Sequence, residues 1–195
     1  MSSQERRAQL LRIAAEEFAA HGPANASIDE IAERAGISQA YVFRIFGTKK
    51  ALFLELLDVA FERMAEGLHN AAAGTTGTEA FDRMGPKYMS MLEDHTMLRL
   101  QLHGIASATD EEIREHTRAG FATIWRTIHA ATGADDVAIK AFLGYGFLMT
   151  ASTSLRLDEV DEDWSASIRT PIYGGLFGHI TDINNAPASS GQDTH

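Results

Sequence analysis

Apolar residues recur at helical spacing along most of the chain. In the first segment they stand three and four residues apart, at Leu10, Ile13, Ala14 and Phe18. This spacing places side chains on one face of an α-helix. Alternation of apolar and polar residues with a period of two is scarce, and no Asn-Gly or Asp-Gly turn joins two apolar runs. The pattern therefore predicts an all-α protein of about nine helices.

Glycine and capping residues set the ends of the first two predicted helices. The first helix covers about residues 4–20 and ends at the breaker His21-Gly22-Pro23. The second begins at Ser27, which is followed three residues later by Glu30. This is the pattern of a capping box, in which each side chain bonds a free backbone N–H of the other residue. Gly36 closes the helix, because glycine adopts the left-handed conformation at little cost.

Seven further helices are predicted after short breaks. Ser38 caps the third helix, which ends at Gly47, and Thr48 caps the fourth, at about residues 49–67. The remaining five are expected at about residues 78–93, 97–107, 110–131, 135–157 and 164–181.

The net charge of −10 hides an uneven distribution. Residues 1–50 hold seven basic and six acidic residues, whereas residues 51–195 hold ten basic and twenty-one acidic residues. Residues 35–50 contain three basic residues and no acidic one. Such asymmetry indicates divided roles within a chain. The acidic total therefore does not exclude a nucleic-acid partner for the first quarter of the chain.

The second and third helices, joined by a short turn, have the pattern of a helix-turn-helix motif. Small Ala32 lets the two helices approach, while Ile37 and Val42 provide an apolar lock between them. The outer face of the third helix then carries Gln39, Ala40, Tyr41 and Arg44. Gln and Arg are side chains that read adenine and guanine edges in the major groove. A helical hairpin with solvated polar residues is the alternative interpretation.

The start of the fourth helix places Lys49 and Lys50 beside this pair. Lysine side chains and free backbone N–H groups at a helix start both bind phosphate. We therefore expect the two lysines to extend the surface formed by Ser38 and the third helix.

The ordered stretch SIDEIAERAGISQAYVFRIFGTKKALF resembles the DNA-binding domain of the tetracycline-repressor (TetR) family of bacterial transcription regulators. The resemblance covers roughly residues 6–60. It implies phosphate contacts for Ser27, Phe43 and Lys49, and base contacts for Gln39, Tyr41 and Arg44. Phe43 departs from the family pattern, which usually has Tyr there. Tyr41 is expected to supply the missing hydroxyl.

The same resemblance implies a helical body that holds an effector pocket and a dimer interface formed by the last two long helices. Apolar residues at helical steps predict the interface residues Phe142, Gly146, Thr150, Ile172, Leu176 and Ile180. The pocket candidates are apolar residues of the middle helices and polar residues that interrupt their faces: Met91, Leu102, His103, Phe121, Trp125, His129 and Phe147. For each apolar candidate, an ordinary place in the core is the favoured alternative to ligand contact.

Several kinds of protein and site are not expected. The chain has no cysteine, which excludes disulfides, Cys-type zinc sites and thiol nucleophiles. No apolar run is long enough to span a membrane, and no signal peptide is recognisable, so a cytoplasmic protein is expected. Glu112 and His116 are four residues apart, but no third ligand follows at a suitable spacing for a metal. No catalytic motif or cofactor motif is present, and the protein is not expected to be an enzyme.

These observations divide the chain into three parts. Residues 1–50 are predicted to form the helix-turn-helix DNA-binding domain, residues 51–183 the effector-binding and dimerisation domain, and residues 184–195 a disordered polar tail. The predicted protein is a homodimeric repressor that binds a palindromic double-stranded DNA operator and is released by a small, largely apolar effector. The alternative is a helical small-molecule-binding protein with a vestigial helix-turn-helix and no role on DNA.

Overall fold

The computed structural model describes residues 2–170 and contains only helical elements in that range. These are α1 (Ser3–Asn25), α2 (Ile28–Ala35), α3 (Gln39–Phe46), α4 (Lys49–Ala71), α5 (Gly77–Leu92), α6 (His95–Ala106), α7 (Glu111–Thr132), α8 (Asp136–Ser154), a 3-10 turn (Leu157–Glu159) and α9 (Asp163–Arg169). The all-α prediction is confirmed. The last predicted helix begins as α9, and its part beyond residue 170, like the predicted tail, lies outside the described residues.

The predicted end of the first helix at His21-Gly22-Pro23 is only partly right, because α1 kinks there and continues to Asn25. Gly22 has a φ of 72°, which only glycine adopts readily. Pro23 lies in the first turn after the kink, where a missing N–H costs no helical hydrogen bond. A Cβ atom at Gly22 would stand 3.0 Å from the imidazole of His103 on α6. The kink therefore also lets α6 approach α1.

The local caps form as predicted, with one difference. The side chains of Ser27, Ser38 and Thr48 each accept a hydrogen bond from the backbone N–H three residues later. The reciprocal half of the predicted capping box is wrong. The backbone N–H of Ser27 donates to Glu17 Oε1 at 2.9 Å, not to Glu30. Glu17 lies on α1 and is only 6% exposed, so a buried carboxylate from a neighbouring helix fixes the start of α2.

Helix α4 is the central element, because α1, α5, α6 and α7 all pack against it. Its N-terminal half contacts α1, where the rings of Phe18 and Phe53 lie 5.3 Å apart. Its middle contacts α7, where Phe61 fills the space beside Gly120. The predicted boundary at residue 50 falls within the first turn of α4. One continuous helix therefore joins the helix-turn-helix to the rest of the chain.

Gly120 is buried, and a Cβ atom there would overlap the Phe61 ring. We expect Gly120→Ala to lower the free energy of unfolding by about 1–2 kcal/mol. Overpacking costs about 1–3 kcal/mol, and the helix preference of alanine returns up to about 1 kcal/mol. Urea unfolding measures the change. In a Phe61→Leu background the same substitution should cost less, and an unchanged stability of the Gly120→Ala variant would contradict this packing.

Candidate DNA-binding surface and effector cavity

The helix-turn-helix presents the outer face of α3 to solvent. Gly36 has a φ of 66°, which turns the chain between α2 and α3. Val42 and Phe46 are buried and anchor α3 on the core, and Ile37 packs against the same core. Ser38, Gln39, Ala40 and Arg44 are exposed. The predicted base-reading side chains therefore share one accessible surface.

Two of the predicted base-reading residues contact each other. The guanidinium carbon of Arg44 lies 4.5 Å from the centroid of the Tyr41 ring, within the range of a cation–π interaction. Tyr41 is half-buried and packs against the core, so its ring is a fixed platform. Phe43 is 38% exposed and presents an apolar edge on the same helix. The stacking preorganises the arginine, which the one-dimensional pattern did not indicate.

Lys49 is engaged by protein groups. Its ammonium donates hydrogen bonds to the carbonyl oxygens of Ala24 at 2.8 Å and Ala26 at 3.2 Å. These carbonyls lie at the end of α1, immediately before Ser27. Lys49 therefore ties the start of α4 to the corner between α1 and α2, and this contact would have to change before its ammonium bonded phosphate.

Lys50 is held by two carboxylates of the helical body. Its ammonium lies 3.1 Å from Asp110 Oδ2 and forms a second ion pair with Glu112, at the start of α7. Hydrogen bonds to Glu112 first, and then to Asp110, raise the pKa of Lys50. The pKa of Asp110 is lowered, mainly by the backbone N–H of Ile113 and next by Lys50. A side chain predicted to bind DNA phosphate is thus bound by anions of the same protein.

Glu112 and His116 contact different neighbours. Glu112 contacts Lys50, whereas the Nδ1 atom of His116 lies 2.8 and 3.0 Å from the carboxylate oxygens of Asp58 on α4. Within residues 2–170, no group of three or more His, Asp or Glu side chains is placed to hold a metal ion. No helix in this range is long and apolar enough to cross a membrane.

A cavity with a volume of about 790 Å³ lies between α5, α8 and α9. This volume is typical of small-molecule sites. Its lining includes Tyr88 and Met89 of α5, Phe142 and Met149 of α8, and Arg169 of α9. A smaller cavity of about 330 Å³ lies between α4, α5 and α6.

None of the seven predicted effector residues lines the larger cavity. Met91 lines the smaller one. His103 contacts α1, where its Nε2 atom lies 3.2 Å from the carbonyl oxygen of Ala19. Phe121 packs on the ring of Phe61 at 5.6 Å. Leu102 and Trp125 are partly buried against the hydrophobic clusters, and His129 and Phe147 are exposed. Helical spacing identified apolar positions but not the neighbour that each one meets.

Three residues expected at the dimer interface make contacts within the protomer. Phe142 packs on Phe81 and Tyr88 of α5, at centroid distances of 5.4 and 6.3 Å. A Cβ atom at Gly146 would lie 3.1 Å from the Tyr88 ring, and Thr150 Oγ1 lies 2.7 Å from the Tyr88 hydroxyl. The other three predicted interface residues, Ile172, Leu176 and Ile180, lie outside the described residues.

A different face of α8 is open and apolar. Its residues alternate in steps of four and three: Val137, Ala141, Gly144, Leu148, Ala151 and Leu155. The large members are well exposed, and Leu155 reaches 69% exposure. This is the heptad spacing of a helix that packs along a second helix. We refer to these six residues as the α8 stripe.

The first helices match a known family. Residues 10–56 match the sequence profile described as bacterial regulatory proteins, tetR family. This range begins in α1, includes all of the helix-turn-helix and ends in the second turn of α4.

Curated relatives share the same part of the chain. The chain is 39% identical over 72 residues to the HTH-type transcriptional activator FasR of Mycolicibacterium smegmatis. This match covers 37% of this chain and 33% of FasR. It is 38% identical over 78 residues to the HTH-type transcriptional repressor Rv3405c of Mycobacterium tuberculosis, over 40% of this chain and 42% of that protein. The chain therefore spans well under half the length of these relatives.

Solved structures extend the likeness to the helical body. The regulator PfmR of Thermus thermophilus superposes with a TM-score of 0.62 at 21% identity, over 77% of this chain and 86% of that chain. The regulator FadR of Bacillus subtilis, solved in complex with stearoyl-CoA, gives a TM-score of 0.64 at 16% identity, over 91% and 96% of the two chains. At these identities the likeness shows a common fold.

The contact between Lys50 and Glu112 predicts a measurable effect on DNA affinity. Glu112→Gln should strengthen binding by a few-fold at most, because it removes one of the two carboxylates that hold Lys50 and exposed ion pairs are weak. The slope of the logarithm of affinity against the logarithm of salt concentration should steepen by up to about one. Fluorescence anisotropy with labelled DNA at several salt concentrations measures both.

Glu111→Gln is the matched control for this experiment. It removes the same charge from the adjacent residue, whose carboxylate is bonded to Arg114 at 2.9 Å and not to Lys50. Equal effects of the two substitutions would show that only the total charge matters, and the proposed competition for Lys50 would be wrong.

Proposed function

We propose that the chain is a ligand-responsive transcriptional regulator of the TetR family that binds operator DNA as a homodimer. The match of residues 10–56 to the family profile supports this proposal. The observation that carries the proposal is the exposed face of α3, where Gln39, Tyr41 and Arg44 stand on a helix anchored by Val42 and Phe46. A helix anchored in this way fits the major groove with its polar residues against base edges.

The proposed homodimer forms along the α8 stripe. Its alternating steps of four and three, with Ala141, Gly144 and Ala151 between larger residues, would let two α8 helices pack closely around a two-fold axis. An exposed apolar stripe of this length is uncommon on a monomeric protein. Two copies of α3 related by the axis would read the two halves of a palindromic operator.

The proposed effector site is the cavity between α5, α8 and α9. The solved structure of FadR of Bacillus subtilis holds stearoyl-CoA, which supports an effector with an apolar part for a protein of this fold. Effector binding would favour a conformation with lower affinity for DNA, so the protein would act by population shift. Repression is the proposed output. Rv3405c is named a repressor and FasR an activator. A reporter assay therefore decides whether this protein lowers or raises transcription.

One observation favours the alternative of a helical binding protein with no role on DNA. Both lysines expected at the DNA backbone are bonded by protein groups, Lys49 by backbone carbonyls and Lys50 by carboxylates. In the proposed regulator these bonds exchange for phosphate contacts, since exposed lysine pairs are weak. In the alternative they persist, and the protein shows no sequence preference on DNA.

Arg44 is expected to read one base pair of the operator. With DNA selected from a random pool by the wild-type protein, Arg44→Ala should cost about 1–3 kcal/mol and relax the preference at one position in each half-site. Competition binding against single-base operator variants measures the preference. Arg126→Ala removes the same charge from the far part of α7 and should leave the base preference unchanged. Unchanged preference in the Arg44 variant would contradict the proposed docking of α3.

The α8 stripe predicts the effect of a charge at its centre. Leu148→Arg should raise the dimer dissociation constant by about 100-fold or more, because a buried unpaired guanidinium costs several kcal/mol. Sedimentation equilibrium gives the constant. Ile105→Arg places the same charge on an exposed apolar residue of α6 and should leave the dimer unchanged. A wild-type protein that stays monomeric, or a Leu148 variant that stays dimeric, would refute the interface.

A further inference from the structure

The cavity between α5, α8 and α9 differs chemically from one end to the other. Helices α5 and α8 run alongside it in the same direction, since Phe81 meets Phe142 and, further along both helices, Tyr88 meets Thr150. The lining of α8 extends from Phe142 to Thr153, about 16 Å at the helical rise per residue. The cavity is therefore long enough for a ligand with two distinct ends.

The end near Phe142 is apolar. Its wall includes Tyr88, Phe142, Gly146 and Met149. The Tyr88 hydroxyl is already bonded to Thr150 at 2.7 Å. Burial raises the pKa of Tyr88, and the Thr150 hydroxyl only partly opposes this rise. This end accommodates an uncharged chain and offers little to a charged group.

The other end carries charges. It lies where α5 and α8 finish, and its lining includes Arg156, Arg169 and His95 together with the carboxylates of Glu93 and Asp158. Arg156 forms an ion pair with Glu159, and both side chains are more than half exposed. Such a pair contributes little and is readily exchanged for a ligand. Within residues 2–170 Arg169 has no ion pair among the salt bridges found. Guanidinium groups bind carboxylate and phosphate with two parallel hydrogen bonds.

The backbone conformation of Arg156 is also unusual. Arg156 has φ 52° and ψ 48°, and it is the one residue other than glycine with a positive φ among residues 2–170. Glycine or asparagine is the usual choice for this conformation, because a larger side chain is strained there. Strained positions persist where the surroundings hold them, and they cluster at ligand sites. The chain places a strained arginine at the charged end of this cavity.

We propose that this cavity binds an amphipathic anion, with an apolar chain between α5 and α8 and a carboxylate or phosphate head held by Arg156 and Arg169. The regulatory meaning of this site rests on the proposed function. Its binding chemistry does not, because it follows from the lining of one protomer.

Four probes with one chain length separate the contributions of the two ends. Dodecanoate and dodecyl phosphate should bind the full-length protein in isothermal titration calorimetry below their aggregation concentrations. We expect 1-dodecanol to bind about tenfold more weakly, as the loss of a charged hydrogen bond implies, and dodecylamine to bind more weakly still. Equal binding of the alcohol and the carboxylate would overturn the proposed head site.

Variants distinguish binding from folding. Arg156→Gly should keep or raise the free energy of unfolding, because it removes the backbone strain. The same substitution should lower the affinity for dodecanoate by about tenfold and leave the affinity for 1-dodecanol unchanged. Arg169→Gln should lower the affinity for dodecanoate in the same selective way. Arg126→Gln on α7 should change the affinity for neither probe. Dodecanoate affinity that is unchanged in both the Arg156 and Arg169 variants would overturn the proposal.

Failure of the site and failure of the proposed function give different results. Selective dodecanoate binding without any effect on DNA affinity would support the site and remove its regulatory role. Sequence-specific DNA binding by a protein that takes up none of the four probes would overturn the site and leave the DNA-binding function in place.

Discussion

The close packing of α4 against its neighbours is the constraint on which the rest of the structure depends. This helix starts beside α3, and its aromatic residues Phe53 and Phe61 are buried against α1 and α7. Because the contact at Gly120 leaves no space for a side chain, α4 and α7 move together or repack. In the proposed regulator, a displacement of α7 on effector binding would therefore shift α4, which begins at Lys49 and Lys50.

Charge in this protein is organised around the same junction. The N-terminal helices are close to neutral, the body is strongly acidic, and the two meet where Lys50 contacts Asp110 and Glu112. Those carboxylates occupy the ammonium in the way that a DNA phosphate would. In the proposed regulator, DNA phosphate would replace these carboxylates, and the cost of the exchange is small because exposed ion pairs are weak and screened by salt.

Features that depend on neighbouring residues were predictable from the sequence. The caps at Ser38 and Thr48, the turn at Gly36 and the existence of each helix follow from local hydrogen bonding and side-chain spacing. Contacts between distant residues were not. Glu17 takes the place predicted for Glu30, and Lys50 finds its partners sixty residues away. The contacts of α8 were not predictable for the same reason: a helix that is apolar nearly all round gives no sign of which side meets α5.

The α3 face is proposed to read DNA sequence as a two-fold pair. Selection of bound fragments from a random double-stranded pool by the wild-type protein tests this reading. We expect enrichment of a palindromic motif with half-sites centred about 10 bp apart or a multiple of that spacing. Recovery of DNA without any enriched motif, with affinity that depends on salt alone, would contradict it.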